Sequence, residues 1–203
     1  MRYIKFAAVP LLALGLWACQ GTKQSGDAAN GGALQVNSTV KLDGKAVVVS
    51  GITFTPPSTW KDLGASGMRS GNYAYGPFEG ESDSATLGIF YFGKGQGGDA
   101  KSNIERWIGQ MQETGGADPH AQAKTSDFSV DGLPVHWVEL GGTYQSGGMM
   151  GSPIVPKEKY ELAGAVVEAP QGNLFFKLTG PEKTAAKMID EFKAAVMAIK
   201  KSS

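Results

Sequence analysis

Cysteine is the scarcest residue of this chain: one among 203, at position 19. No disulfide can close within the chain, so stability rests on packing, and Cys19 has no second thiol to join it in a metal site. Histidine occurs only as His120 and His136. They are not at metal-ligand spacing, which argues against structural zinc and leaves open a two-histidine site completed by carboxylates. An excess of either charge is also missing, with 19 basic and 19 acidic residues. Phosphate backbones need clustered Lys and Arg, so nucleic acid is not expected as a partner. No G-x-S-x-G nucleophile element occurs, and no internal repeat is visible. No apolar run is long enough to span a bilayer.

What the chain does have starts at its first residues. Arg2 and Lys5 precede a run from Phe6 to Trp17 that is apolar apart from Pro10 and Gly15. As a helix, a run of about twelve residues rises only about 18 Å, too short for a hydrocarbon core of about 30 Å. A basic start, a short apolar run and the small residue Ala18 predict a secretory signal peptide over residues 1–18. Leu16-Trp17-Ala18-Cys19 resembles the bacterial lipoprotein signal, with leucine at −3 and a small residue at −1. That resemblance implies cleavage before Cys19 and acylation of its thiol, palmitate included. Two or more acyl chains anchor a protein stably, where one binds marginally. The processed chain would carry two more acids than bases, because Arg2 and Lys5 leave with the signal. Gln20, as a non-aspartate after the cysteine, implies the outer membrane in the better-known diderm bacteria.

Residues 20–32 are Gly, Ala, Ser, Thr, Asn and Gln with single charges. They predict a flexible tether about 20 Å across, within a lipidated and tethering segment at 19–39. A single α+β domain is expected over 40–203. Strands are predicted at 46–49 and 52–54, where β-branched and aromatic residues cluster, with one helical turn at 58–63 and another strand at 72–75. Residues 85–92 are apolar or β-branched on both faces, which predicts a strand in mid-sheet. Ser102 and Glu105 fit a capping box, followed by an apolar stripe at Ile104, Trp107, Ile108 and Met111. Asp131-Gly132 joins two predicted strands, as does the turn at 170–173. The last helix shows a second capping box at Thr179 and Glu182, with Pro181 in the first turn. Its apolar stripe runs from Ala185 to Ile199, and Lys200 and Lys201 in its last turn suit the helix dipole.

Hairpins with two long helices predict a mostly antiparallel sheet with a central and a C-terminal helix packed on it. This order resembles the PsbP-like fold, named after an extrinsic protein of photosystem II. The runs Tyr91-Phe92-Gly93-x-Gly95-Gln96-Gly97-Gly98, Asn103-Ile104-Glu105-Arg106-Trp107-Ile108 and Phe175-Phe176-Lys177-Leu178-Thr179-Gly180-Pro181 are similar to uncharacterised bacterial secreted proteins and lipoproteins. The resemblance covers about residues 45 to 200 and implies fold and location, with no reaction attached.

The chemistry candidates are few. Gly93-Lys94-Gly95-Gln96-Gly97-Gly98 matches G-x-G-x-x-G between a strand and a helix. An antiparallel fold and the neighbouring Asp99 argue against a dinucleotide there. Lys94, Gly95, Gln96 and Gly97 are the candidate ligand-binding residues, as a nest for an anion, beside the simpler reading of a strand-to-helix turn. Met149-Met150 suits a contact patch better than Cu(I). Tyr73, Tyr75, Trp137 and Tyr144 are candidates for a contact surface. Glu105 and Arg106 brace the central helix. Together these predict a lipid-anchored, extracytoplasmic binding module at the bacterial envelope, with a protein or small ligand and no cofactor. The alternative is an envelope hydrolase, which requires a deep pocket holding two acids of raised pKa.

Overall fold

The structure is a computed structural model that describes residues 39–78, 80–112, 118–147 and 153–202. Cys19, the tether and Met149-Met150 lie outside the described residues.

In chain order the elements begin with β1 (Val47–Val49), β2 (Ile52–Phe54), β3 (Lys61–Asp62), β4 (Arg69–Tyr75) and β5 (Ala85–Tyr91). Then come α1 (Ala100–Ile108), β6 (Met111–Gln112), α2 (Pro119–Gln122), β7 (Lys124–Val130) and β8 (Leu133–Ser146). The last are β9 (Val155–Val167), β10 (Leu174–Pro181), α3 (Glu182–Met197) and β11 (Lys200–Lys201). The main sheet runs β3-β4-β5-β10-β9-β8-β6, with β7 also paired to β8, and a small sheet runs β1-β2-β11. Every pairing is antiparallel. The expected α+β class is what the structure shows.

Two cores lie on opposite faces of the sheet, because strand side chains alternate with period two. On one face Leu87, Ile89, Val135, Trp137, Phe176 and Leu178 pack under the apolar stripe of α3. Trp137 and Phe192 meet at 5.0 Å between ring centroids, and Phe54 reaches Phe176 at 5.2 Å. On the other face Val138, Leu140, Leu162, Val166 and Phe175 pack under Ala100, Trp107 and Ile108 of α1. Strand β5 lies between β4 and β10, as its two-sided apolar pattern predicts.

Several local expectations are corrected. The segment at 58–63 is not a helical turn. Trp60 is buried and donates to Glu191 Oε2 at 2.5 Å, and Lys61 and Asp62 pair with β4 as β3. Helix α1 is capped by Asp99, which accepts from the Ser102 backbone N–H at 2.8 Å, so it starts three residues before the expected capping box. It also ends earlier, at Ile108, and Met111 is buried in β6. At α3 the expected cap residue Thr179 is still in β10. The cap comes from far away: Glu81 accepts from the Lys183 and Thr184 N–H groups at 3.0 and 2.8 Å and from the Thr184 hydroxyl at 2.5 Å. Finally, Lys200 and Lys201 are not a last helical turn. They pair with β2, while Ile199 is fully buried and the Lys201 N–H donates to Asp131 at 2.8 Å.

A candidate ligand basin on the open sheet face

Helix α1 has nine residues and so rises about 14 Å, whereas β8 and β9 run 14 and 13 residues. Among the described residues it covers part of its sheet face and leaves the end beyond it uncovered. That open part is a cavity of about 470 Å³ with Thr86 and Thr179 among its lining residues. Its rims carry Arg69, Asp83, Tyr144, Lys157 and Tyr160.

Three of these side chains reach the basin through irregular backbone. In β4 the register shifts between Arg69 and Gly71, so Arg69 pairs with Phe90 and shares its face. Without that bulge it would follow Gly71, which pairs with Ile89 of the α3-side core. In β8 and β9 the register shifts between Gly142 and Tyr144, and Lys159 sits at φ 55. Lys157 and Tyr160 are three apart, which strict alternation puts on opposite faces. The extra residue brings them to one side.

At one end of the basin Lys157 Nζ lies 2.7 Å from Asp83 Oδ2 and donates to Tyr160 Oη at 3.2 Å, and the Tyr160 hydroxyl donates to the same carboxylate. Hydrogen bonds from Lys157 first, then Tyr160, hold Asp83 below its ordinary carboxylate pKa. The bond to Asp83 raises Lys157 in turn. Burial, followed by the bond to Asp83, raises Tyr160. Tyr144 stacks against Tyr160 at 6.2 Å and 11°.

Toward α1, next to the lining residue Tyr144, sits Lys177, partly buried, two residues from Thr179 on the same face of β10. Its strand neighbours are both glycines, Gly88 on β5 and Gly164 on β9. Each clears room for a large side chain. A Cβ on Gly88 would run into the Phe90 ring at 2.8 Å and stand 3.2 Å from Arg69 Nε, and one on Gly164 would run into the Trp107 ring. Lys177 Nζ donates to Gln110 Oε1 and, at 3.2 Å, to Tyr144 Oη. Burial first, then the charges of Arg106 and Arg69, push its pKa down to about 8. Among the described residues no carboxylate pairs with Lys177, Arg69 or Arg106. Arg69 lies 5.9 Å from the Phe90 ring centre, and Arg106 donates to Asn103 Oδ1.

The sequence candidates fall mostly elsewhere. Lys94, Gly95 and Gln96 are exposed in the β5–α1 turn, and none of residues 94–97 lines the basin. The Gly97 carbonyl accepts from Asn103 Nδ2 at 2.8 Å, and a Cβ there would meet Phe92 and Phe175. Asp99 occupies the helix N-terminus with its own carboxylate. His120 approaches Glu105 at 3.5 Å, while His136 lies between Asp127 at 2.7 Å and Glu168 at 3.3 Å. Among the described residues no group of three His, Cys, Asp or Glu side chains is placed to hold a metal. Of the aromatic candidates, Tyr73 and Trp137 are core residues and Tyr144 is the one that lines the basin. A second cavity of about 240 Å³ is lined by Glu161 and Glu182. Burial, then the charges of Glu139 and Glu182, raise the Glu161 pKa, and Glu139 itself pairs with Lys193 at 2.8 Å. Among the described residues no helix is long and apolar enough to cross a membrane.

No known protein family matches the chain, and no curated protein does. Solved structures do. LpqN of Mycobacterium tuberculosis, described as involved in cell envelope biogenesis, is 15% identical with a TM-score of 0.50, over 79% of this chain and 86% of its own. Cyanobacterial PsbP (CyanoP) from Synechocystis is 12% identical with a TM-score of 0.47, over 81% and 96%.

Proposed function

We propose that this protein is a lipid-anchored binding module of the bacterial cell envelope. Acylated Cys19 holds it to the membrane, residues 20–39 stand the domain at 40–203 off the lipid, and the basin beside α1 receives the ligand. The observation that carries this reading is the basin itself. It is concave, polar and lined by charged and hydroxyl side chains that the fold brings to one face through backbone bulges. The size falls within the range of small-molecule sites, and a lining more polar than most of them suits a polar ligand. The envelope placement draws on the sequence before Cys19, and on the fold shared with LpqN, a protein described as involved in cell envelope biogenesis.

Two measurements test it. Expressed whole in a bacterial host, the chain should incorporate labelled palmitate and fractionate with membranes, and Cys19→Ser should lose both. A Cys19→Ser chain that stays membrane-bound refutes the anchor. Titrated with a soluble digest of bacterial cell wall, the full chain should show a thermal shift that Thr179→Trp, which fills the basin, removes. A shift retained in that variant refutes the basin.

A further inference from the structure

The two ends of the basin differ in chemistry. Toward α1, Arg69 lines the basin and its Nε lies 3.2 Å from where a Cβ on Gly88, the strand partner of Lys177, would stand, while Lys177 meets the basin wall at Tyr144, whose hydroxyl accepts from its Nζ at 3.2 Å. Like charges held together destabilise a fold unless something negative joins them. Among the described residues nothing does. The fold nonetheless makes room for this arrangement. The β4 bulge turns Arg69 onto this face, and Gly88, the strand partner of Lys177, has no Cβ to crowd the Phe90 ring or Arg69 Nε. Guanidinium and ammonium donors together match an oxyanion's geometry. At the other end are Thr86, Thr179 and Ser146, with the Asp83–Tyr160 pair. Hydroxyls and a carboxylate of this kind exchange hydrogen bonds with a polyol.

Resting on the basin reading, we infer that the ligand is an acidic saccharide, a sugar unit bearing a carboxylate or a phosphate. Its oxyanion sits against Arg69 beside Lys177, and its hydroxyls face Asp83, Tyr144 and the two threonines. A cavity of about 470 Å³ is large enough to hold such a unit and too small for a protein surface.

Isothermal titration of the full chain in detergent tests this with four probes: glucuronate, glucose 6-phosphate, glucose and inorganic phosphate. At least one acidic sugar should bind ten times more tightly than glucose and than inorganic phosphate. Which of the two wins identifies the carboxylate or the phosphate. That binding should weaken with added salt and fall at least tenfold in Arg69→Gln. Arg69 is an exposed side chain, so this variant folds, as circular dichroism would verify. Lys177→Gln gives a second, independent loss. Glucose binding equal to that of the acidic sugars overturns the oxyanion subsite and leaves the basin reading standing. Inorganic phosphate binding as tightly as glucose 6-phosphate overturns the saccharide. No binding by any probe overturns the inference, while the wall-digest titration with Thr179→Trp judges the basin separately.

Discussion

Lys177 gives the sharpest quantitative test. Its pKa is pushed from 10.5 down to about 8, by burial first and then by Arg106 and Arg69. At about 1.4 kcal/mol per unit, the protonated side chain costs the fold about 3 kcal/mol. Because the folded value is the lower one, the unfolded chain binds more protons between pH 8 and 10.5. Stability from this group therefore rises with pH across that window, and the whole cost is present below pH 8. Replacing it by the similar-sized Lys177→Met removes the charge. It also removes the hydrogen bonds to Gln110 and Tyr144, about 1 kcal/mol each. The net gain at pH 7 is then about 1 kcal/mol, or roughly 2–4 °C in melting temperature at this size. By pH 9.5 the wild-type cost has fallen to about 1.4 kcal/mol, and the variant becomes slightly the less stable of the two. Urea unfolding of both chains at pH 7 and pH 9.5 measures this change of sign. A difference that is flat with pH would mean that Lys177 is not held against its charge, and the reasoning fails.

Other substitutions probe the frame around the basin. Glu81→Ala removes the acceptor for two N–H groups and a hydroxyl at the start of α3, and should cost about 1–2 kcal/mol in denaturant unfolding. Burial alone would raise the Glu81 pKa, but its bonds from Thr184 and Lys183 bring it below the ordinary 4.5. The wild-type advantage over Glu81→Ala should therefore be intact above pH 4.5 and vanish as pH falls through the lower folded value. Gly164→Ala drives a methyl into the Trp107 ring and should cost about 1–3 kcal/mol, with Trp107 fluorescence shifting to the red. Pairing it with Trp107→Leu should recover part of that loss, and a fully additive double variant would argue against the contact.

Period and turn chemistry made much of this architecture legible in the sequence. The two-faced strand β5, the hairpin at Asp131-Gly132 and the stripe of α3 are all local patterns, and each holds in the structure. The basin was not legible, because its residues share a face only through irregularities that leave no periodic signal. Alternation assigns Lys157 and Tyr160 to opposite sides, and the inserted residue reverses that. The cap on α3 was equally hidden. Thr179 and Glu182 have the right spacing, but strand pairing claims Thr179, and the acceptor arrives from a residue about 100 positions away. One clue did exist. A lysine between two phenylalanines and a leucine in a strong strand, as in Phe175-Phe176-Lys177-Leu178, marks a charge that the fold holds in its interior.

The place of β10 also orders the making of this protein. Its Leu174 pairs with Tyr91 on one side and Val167 on the other, so it fills the middle of the sheet although the chain reaches it late. Until residues 174–181 emerge, β5 and β9 each present an unpaired, apolar edge, and loop closure across more than 80 residues must precede their union. A nascent or truncated chain ending before β10 is thus two incomplete sheets with sticky margins, a substrate for chaperones or aggregation rather than a smaller domain.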